Sequence, residues 1–470
     1  MNLSQNKIEY IWFHMRHHWK PNPGITDRFL VTAGDEQLPD DTEGRIIFGL
    51  TQTDTPSTHF DPVPFEQQAI PVLFSCNPGC REWFFADTKG NLHFHHDLLS
   101  SIFYILSGQQ EREKRERDQF DRFPYYSSTQ KELNGASVPL VNYYFEIIIR
   151  GLEHFAKIHG MQVERRRLFP SFGFVLSHDV DRMAYHQIRE VLHKVKLLFH
   201  SKSNLKKPKW LVRQIFNGLI AQMAPSRKKD PWWNFDWLIN LEKQMGIRSS
   251  FYFLQKEDSK MDSQYKFKNK KIKRLISDIK KAGFEAGLHS SFYSYNHPGK
   301  LQQQVSEWSR HLGTPPEGIR QHYLRYRLPE TAKYQASAGF LYDTTLGFAD
   351  HDGYRNAYCY PFCPYDHDRD EMIPIWEIPL IMMEMSVLDY RKLSNNQLQI
   401  LVFKYIEEAK KFGGIFSLLW HNCRLNDIEN PGITGFYKIL LEQIVKENPF
   451  PVVGIDVVNR IKAFHKEDRE

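Results

Sequence analysis

The chain has 470 residues, 41% of them hydrophobic and 25% charged, which is the composition of a globular protein and excludes a disordered or fibrous one. That length exceeds the need of one small core, so two domains are expected, each able to bury a substantial core of its own. A net charge of +6, with Lys and Arg scattered among Asp and Glu everywhere but one segment, argues against a genome-binding protein.

The opening residues MNLSQNKIEYIWFHMRHHWK lack the uninterrupted apolar run of a secretory signal, and no later stretch has the length of a membrane span. A cytoplasmic location with no transmembrane segment and no nucleic-acid partner is therefore expected. The CxxxC pairs Cys76/Cys80 and Cys359/Cys363 lack structural-zinc spacing, and an odd total of five cysteines is no disulfide framework, so reduced thiols are expected.

Through residues 1–165, short apolar runs (IIFGL, IPVLF, REWFF) mix with two helical patterns, DLLSSIFYILSG and VPLVNYYFEIIIRGLEHFAKIHG, which together predict a small α+β domain. In the second pattern Leu140, Tyr143, Tyr144, Ile147 and Ile148 form a stripe of period 3.6. His93, His95 and His96 in LHFHHD are read as a solvated hairpin, because adjacent residues of a strand point different ways. The polar stretch ending in Glu164–Arg167 is read as a linker.

Over 170–465 the pattern changes to short apolar strands alternating with helices: FGFVLS, RSSFYFL, FEAGLH, GIRQHYL, FLYDTTLG, IWEIPLI, GIFSLLWH and PVVGI. Such alternation predicts parallel strands joined by crossover helices. Seven or eight such units suit a closed or nearly closed β/α barrel, a deformed (β/α)7-type barrel, whose chemistry sits at the C-terminal strand ends. Asp179 and Asp181 follow FGFVLS, His289 closes FEAGLH, Arg320 and His322 lie in GIRQHYL, and His421 closes GIFSLLWH. Period-two alternation puts Asp179 and Asp181 on one side, so one carboxylate can bind a metal while the other takes a proton. Glu377 faces the barrel interior without an assigned role, and Trp232, Trp233 and Trp237 are read as core aromatics opening a helix.

The residues, in order, resemble the polysaccharide deacetylase family, also called the NodB-homology domain or carbohydrate esterase family 4. The likeness rests on Ser177-His178-Asp179-Val180-Asp181, Glu285-Ala286-Gly287-Leu288-His289-Ser290, Gly318-Ile319-Arg320 and Leu419-Trp420-His421. Residues 1–165 are similar to the companion domain that precedes such barrels in bacterial polysaccharide deacetylase-like proteins. The resemblance implies a metal-dependent hydrolase removing N-acetyl or O-acetyl groups from a carbohydrate or glycan precursor. It implies Asp179 as general base, Asp181 and His289 as metal ligands, Arg320 as the partner holding Asp179 ionised, and His421 as general acid, with zinc the expected metal. Asp343 or Asp350 would orient His421.

One position departs from the family. Its second histidine lies four residues after the first, where this chain has Tyr293. Strand alternation places His322 on the face of Arg320 and nearer the mouth, so His322 is expected to complete the metal site. The departure also keeps open a catalytically idle glycan-binding or assembly protein, and a hydrolase of another non-peptide C–N bond. Residues 194–229 carry ten Lys or Arg and no Asp or Glu. Within them Trp210, Leu211, Ile215, Phe216, Leu219, Ile220 and Met223 recur at near-helical spacing beside Lys206, Lys207, Lys209 and Arg213. That pattern suits a helix lying on the inner face of an anionic membrane, where a lipid-linked glycan would be met, as well as a core helix with a basic flank.

Overall fold

A computed structural model describes residues 3–468 apart from 34–38, 40–41, 54, 58–61, 189, 193–194, 196–207 and 224–229. In the N-terminal region, strands β1 (Phe29–Ala33), β2 (Ile46–Leu50), β3 (Phe84–Ala86) and β4 (Leu92–Phe94) form a sheet in the order β1-β2-β4-β3. Helices α1 (Gln5–Met15), α2 (Leu98–Leu106) and α3 (Leu140–Ile158) pack with it. Trp12 of α1 meets Phe29 and Phe48. Gly151 lets α3 approach β4, since a Cβ there would sit 2.6 Å from the Phe94 ring.

The expected stripe of α3 is buried, and so are Val141, Asn142 and Phe145. The reason is a second covering layer. The barrel segment around 354–365 lies on α3, with the Cys359 N–H donating to the Asn142 side chain at 2.9 Å and Val141 N–H donating to Ala357 O at 2.9 Å. Arg355 and Glu111 form a buried bidentate pair across the same contact, both bonds at 2.7 Å. Of the histidines expected in a solvated hairpin, His93 and His95 stack on the exposed Phe85, whereas His96 is buried against Ser75 Oγ at 2.9 Å.

The large sheet is parallel throughout. Its strands are β5 (Gly173–Val180), β6 (Ser249–Phe253), β7 (Glu285–Ser290), β8 (Gly318–Gln321), β9 (Tyr342–Asp343), β10 (Trp376–Glu377), β11 (Met382–Met383) and β12 (Ile415–Leu419). They run in the order β10-β9-β8-β7-β6-β5-β12-β11, and β13 (Phe450–Pro451) adds a ninth strand beside β5. Among the described residues β10 and β11 do not pair, so the sheet curls as a deformed barrel left open at one seam. FLYDTTLG and IWEIPLI yield only two strand residues each. Pro374 and Pro379 bracket the second, and neither can donate to a ladder.

Tyr252 and Tyr342 meet hydroxyl to hydroxyl at 3.1 Å inside the barrel. The space for Tyr342 exists because position 318 is glycine, where a Cβ would lie 2.1 Å from the Tyr342 ring. The polar ends of the strands above this layer are left to form a site.

The helix α4 (Pro208–Met223) follows β5. It packs through Gln214, bonded to Tyr185 OH at 3.3 Å, and through Gly218, whose Cβ would lie 2.5 Å from Val191. Val212, Phe216 and Leu219 are each more than half exposed. Lys206 and Lys207, and the side chains of Lys209, Trp210, Leu211 and Met223, lie outside the described residues. Among the described residues no helix is long and apolar enough to cross a membrane. Helix α5 (Phe235–Gln244) follows, and Trp232, Trp233 stand before its first turn rather than on it.

Candidate metal centre

Alternation along β5 sends neighbouring side chains to opposite sides. His178 points outward into the layer of α5, bonded to Glu242 at 2.8 Å and to the Trp420 carbonyl at 2.7 Å. Ser177 and Asp179 point inward to Arg320, whose NH1 donates to Ser177 Oγ at 3.0 Å and to Asp179 Oδ1 at 2.8 Å. Nε and NH2 of Arg320 are fixed by the Thr344 carbonyl and hydroxyl at 2.9 and 3.1 Å. Burial alone would push the Asp179 carboxyl up, but the Arg320 guanidinium, with His289 and His421, holds it below its ordinary range.

Asp181, His289 and His322 each offer one ligand atom, and the three atoms lie within 4.8 Å of one another. His289 Nε2 is 3.4 Å from Asp181 Oδ1, and His322 Nε2 is 3.8 Å from Asp181 Oδ2. Both imidazoles have an acceptor at the other nitrogen. His289 Nδ1 lies 2.9 Å from the Arg320 carbonyl, and His322 Nδ1 lies 3.4 Å from Asp262 Oδ1. Each Nδ1 is thereby a donor, which leaves Nε2 of each ring turned toward Asp181. Asp181 Oδ1 is buried and makes no hydrogen bond. A buried carboxylate oxygen of this kind calls for a partner, and a divalent ion fits the donor set of one carboxylate and two imidazoles.

His421 stands on the opposite rim, its Nε2 3.7 Å from Asp181 Oδ2. Its Nδ1 lies 2.8 Å from Glu384 Oε1, which also accepts the His421 backbone N–H at 3.1 Å. Burial would lower the imidazole pKa, but Glu384, helped by Asp181 and Asp179, outweighs burial and raises it to about 9.

The partner of His421 is thus Glu384, and the expectation for Asp343 or Asp350 is corrected. Asp343 pairs across β9 and β10 with Glu377 and accepts the Thr345 hydroxyl at 2.6 Å. The register sets these two carboxyl groups side by side in the barrel wall, where burial raises the pKa of both and Asp343 raises that of Glu377 further. Asp350 accepts the Tyr125 N–H at 3.2 Å, far along the rim. Glu384 and Asp262 were missed in the sequence: Glu384 lies in a short helical turn just past β11 and Asp262 in a loop, and neither has a motif of its own.

Asp179, Asp181, His289, His322 and His421 open onto one cleft of about 640 Å³, walled by Trp232 and Trp233. Trp232 is buried and Trp233 lies under the Lys271 ammonium at 3.5 Å. A larger hollow of about 940 Å³ beside Trp12, Trp19 and Phe29 holds none of these ionisable groups.

Residues 3–157 match DUF7033, a family of unknown function. No curated protein matches the chain. Among solved structures, the chain is similar to a candidate polysaccharide deacetylase from Mycobacterium smegmatis at 15% identity, over 62% of this chain and 91% of that one, with a TM-score of 0.40. It is similar to Puue allantoinase at 15% identity with the same coverage and a TM-score of 0.38. A CE4 family pseudoenzyme from Bacillus anthracis matches at 10% identity over 61% of this chain and 66% of its own, with a TM-score of 0.29. Descriptions as different as these, at such scores, leave activity and substrate to the chemistry of the site.

Proposed function

We propose that the chain is a metal-dependent hydrolase that removes acetyl groups from a carbohydrate or glycan precursor. The observation that carries this reading is the buried, unbonded Asp181 Oδ1 facing two imidazoles whose Nδ1 atoms are both engaged. Asp181, His289 and His322 would hold the ion, zinc by the nitrogen and carboxylate donors. When bound it would polarise an acyl carbonyl and acidify water.

The remaining steps belong to the side chains. Asp179 Oδ1 is held by Arg320, which leaves Oδ2 to take a proton from the attacking water. Oxygen adds to the acyl carbon, the C–N bond breaks, and the departing amine takes its proton from His421 Nε2. Glu384 fixes the His421 ring so that Nε2 faces the cleft and stabilises the imidazolium that must be present beforehand. Trp232 and Trp233 offer flat apolar surface to a sugar ring.

Metal analysis of the purified protein together with acetate release from a panel of N-acetylated sugars tests the reading. Asp179→Asn is expected to lower turnover by ~10²–10⁴ with metal content nearly intact, and Asp181→Asn to strip the metal. Wild-type acetate release from Asp179→Asn would overturn the base assignment. Bound metal with no release from any sugar would favour the idle glycan-binding protein or a hydrolase of another C–N bond.

A further inference from the structure

Among the described residues, the N-terminal region lines the cleft at Arg122. Its residues 118–122 cross to the barrel mouth in a turn organised by Asp118, whose Oδ1 accepts the N–H groups of Phe120 and Arg122 at 2.9 and 3.0 Å. Arg122 is buried and lines the cleft, although it belongs to the stretch that matches DUF7033.

The guanidinium of Arg122 is committed in three directions. Nε and NH2 grip Asp118 Oδ2 at 2.7 and 2.6 Å, NH2 also donates to Tyr390 OH at 3.2 Å, and NH1 donates to the carbonyl of Tyr323 at 3.1 Å. The last contact falls on an unusual turn. Tyr323 and Leu324, immediately after His322, are consecutive non-glycine residues in the left-handed region, at φ +63° and +54°. Such a conformation is strained for a residue with a Cβ and persists only where its surroundings over-determine it.

Within the turn itself the stabilising bond is weak, Arg325 N–H to the His322 carbonyl at 3.4 Å. The firmer restraints come from the N-terminal loop. Phe120 packs on the Tyr323 ring with centroids 4.9 Å apart, and Arg325 Nε donates to the Phe120 carbonyl at 2.8 Å. Asp121 takes the Tyr295 hydroxyl at 2.6 Å and Arg327 at 2.7 Å. These bonds run between residues about 200 apart in the chain, so they are a built contact of the two regions.

We infer that the loop 118–122 is a clamp that holds the strained His322–Leu324 turn, and that Arg122 is a positioning residue for the third ligand of the metal centre. The N-terminal region then completes the site that the barrel cannot complete alone. This rests on the reading of His322 as a ligand.

The test uses the full chain as wild type and as His322→Asn, Arg122→Ala, Arg122→Lys and Phe120→Ala. Zinc affinity is measured by competition with a chromophoric chelator, and the ligand field by the visible absorption of the cobalt-substituted protein. Arg122→Ala and Phe120→Ala are expected to weaken zinc binding by ~10–100-fold, the usual effect of losing support behind a ligand, and to alter the cobalt bands. Arg122→Lys should recover part of the affinity, because an ammonium can still reach the Tyr323 carbonyl but cannot also fork onto Asp118. Phe120→Ala leaves the Arg122–Asp118 pair in place and carries the comparison if Arg122→Ala fails to fold. If His322→Asn loses zinc while Phe120→Ala and Arg122→Lys keep wild-type affinity and spectrum, the clamp is overturned and the ligand reading stands. If wild type and His322→Asn bind zinc alike, the ligand reading fails and the clamp falls with it.

Discussion

Replacing Asp262 by Asn should weaken metal binding without touching a ligand. Asp262 is buried, its Oδ1 accepts the Phe292 N–H at 2.8 Å and faces His322 Nδ1 at 3.4 Å, and its Oδ2 accepts the Ser259 N–H at 3.2 Å. All three neighbours are donors, and an asparagine has one oxygen. If that oxygen serves Phe292 and His322, the new NH2 opposes the Ser259 N–H. If it serves Ser259, the NH2 opposes the other two. Either arrangement leaves a buried donor without an acceptor at ~1–3 kcal/mol, and the His322 ring loses the carboxylate that fixes its orientation. Support of this kind is worth about 10–100-fold in affinity, or ~1.4–2.7 kcal/mol. Chelator competition on wild type and Asp262→Asn reads it directly, and urea unfolding of both metal-free proteins separates general destabilisation from the binding change. His289 is an internal control, since its Nδ1 is held by the Arg320 carbonyl, which the substitution leaves in place. Zinc affinity within twofold of wild type, in a background where His322→Asn abolishes binding, would refute the argument.

Glu384→Gln keeps an acceptor for His421 but removes the charge, so turnover in acetate release should fall by ~10²–10⁴ with metal content unchanged; an unaltered rate would remove Glu384 from the mechanism. Burial outweighs the bond to the Tyr10 carbonyl and holds His14 at about 3, and burial likewise holds His18 at about 3, each against an ordinary 6.5. Below pH 6.5 the unfolded chain takes up protons that the folded chain refuses, so stability is full above that pH and falls below it, by up to ~1.4 kcal/mol per unit per histidine. Urea midpoints at a series of pH values check this, and a His14→Gln protein with the same acid slope would contradict it. The exposed face of Val212, Phe216 and Leu219, set in a segment of ten basic and no acidic residues, is expected to bind anionic but not neutral vesicles at low salt. Failure to co-sediment at low salt would end the idea of a membrane-borne substrate.

The parallel sheet was legible because its longer strands carry short apolar runs between helical patterns, as in GFVLSHDV, SSFYF and IFSLL. Period and composition failed where the backbone is set by proline or by a loop's own bonds. IWEIPLI has the apolar character of a strand, yet its prolines reduce it to Trp376–Glu377. PVVGI contributes only Pro451 to a strand, because Gly454 takes the first place of a helix whose Asp456 carboxylate accepts the Val453 N–H at 3.4 Å. Trp232, Trp233 and Trp237 were read together as core aromatics opening a helix, but Trp232 and Trp233 precede the helix and line the cleft while Trp237 lies on it, which spacing alone does not distinguish.

At the site, the division is between residues that carry chemistry and residues that hold them. Asp179, Asp181, His289, Arg320, His322 and His421 fall at strand ends, so a sequence reader who has found the strands finds them too. Tyr293 also marked a gap, and His322, which follows β8 directly, stands with Asp181 and His289 in a group of three that could hold a metal. Glu384, Asp262 and Arg122 have no such address. Glu384 and Asp262 meet the His421 and His322 rings across 37 and 60 residues of sequence, and Arg122 meets the Tyr323 backbone carbonyl across 201, so no apolar period marks them. Asp343 was the natural misassignment for that reason: it lies in a recognisable strand, whereas the carboxylate that meets His421 lies just beyond one. The spacing of a motif can place a ligand, but the carboxylate behind the ligand is chosen by how distant loops stack on the barrel mouth, and only the folded chain shows that choice.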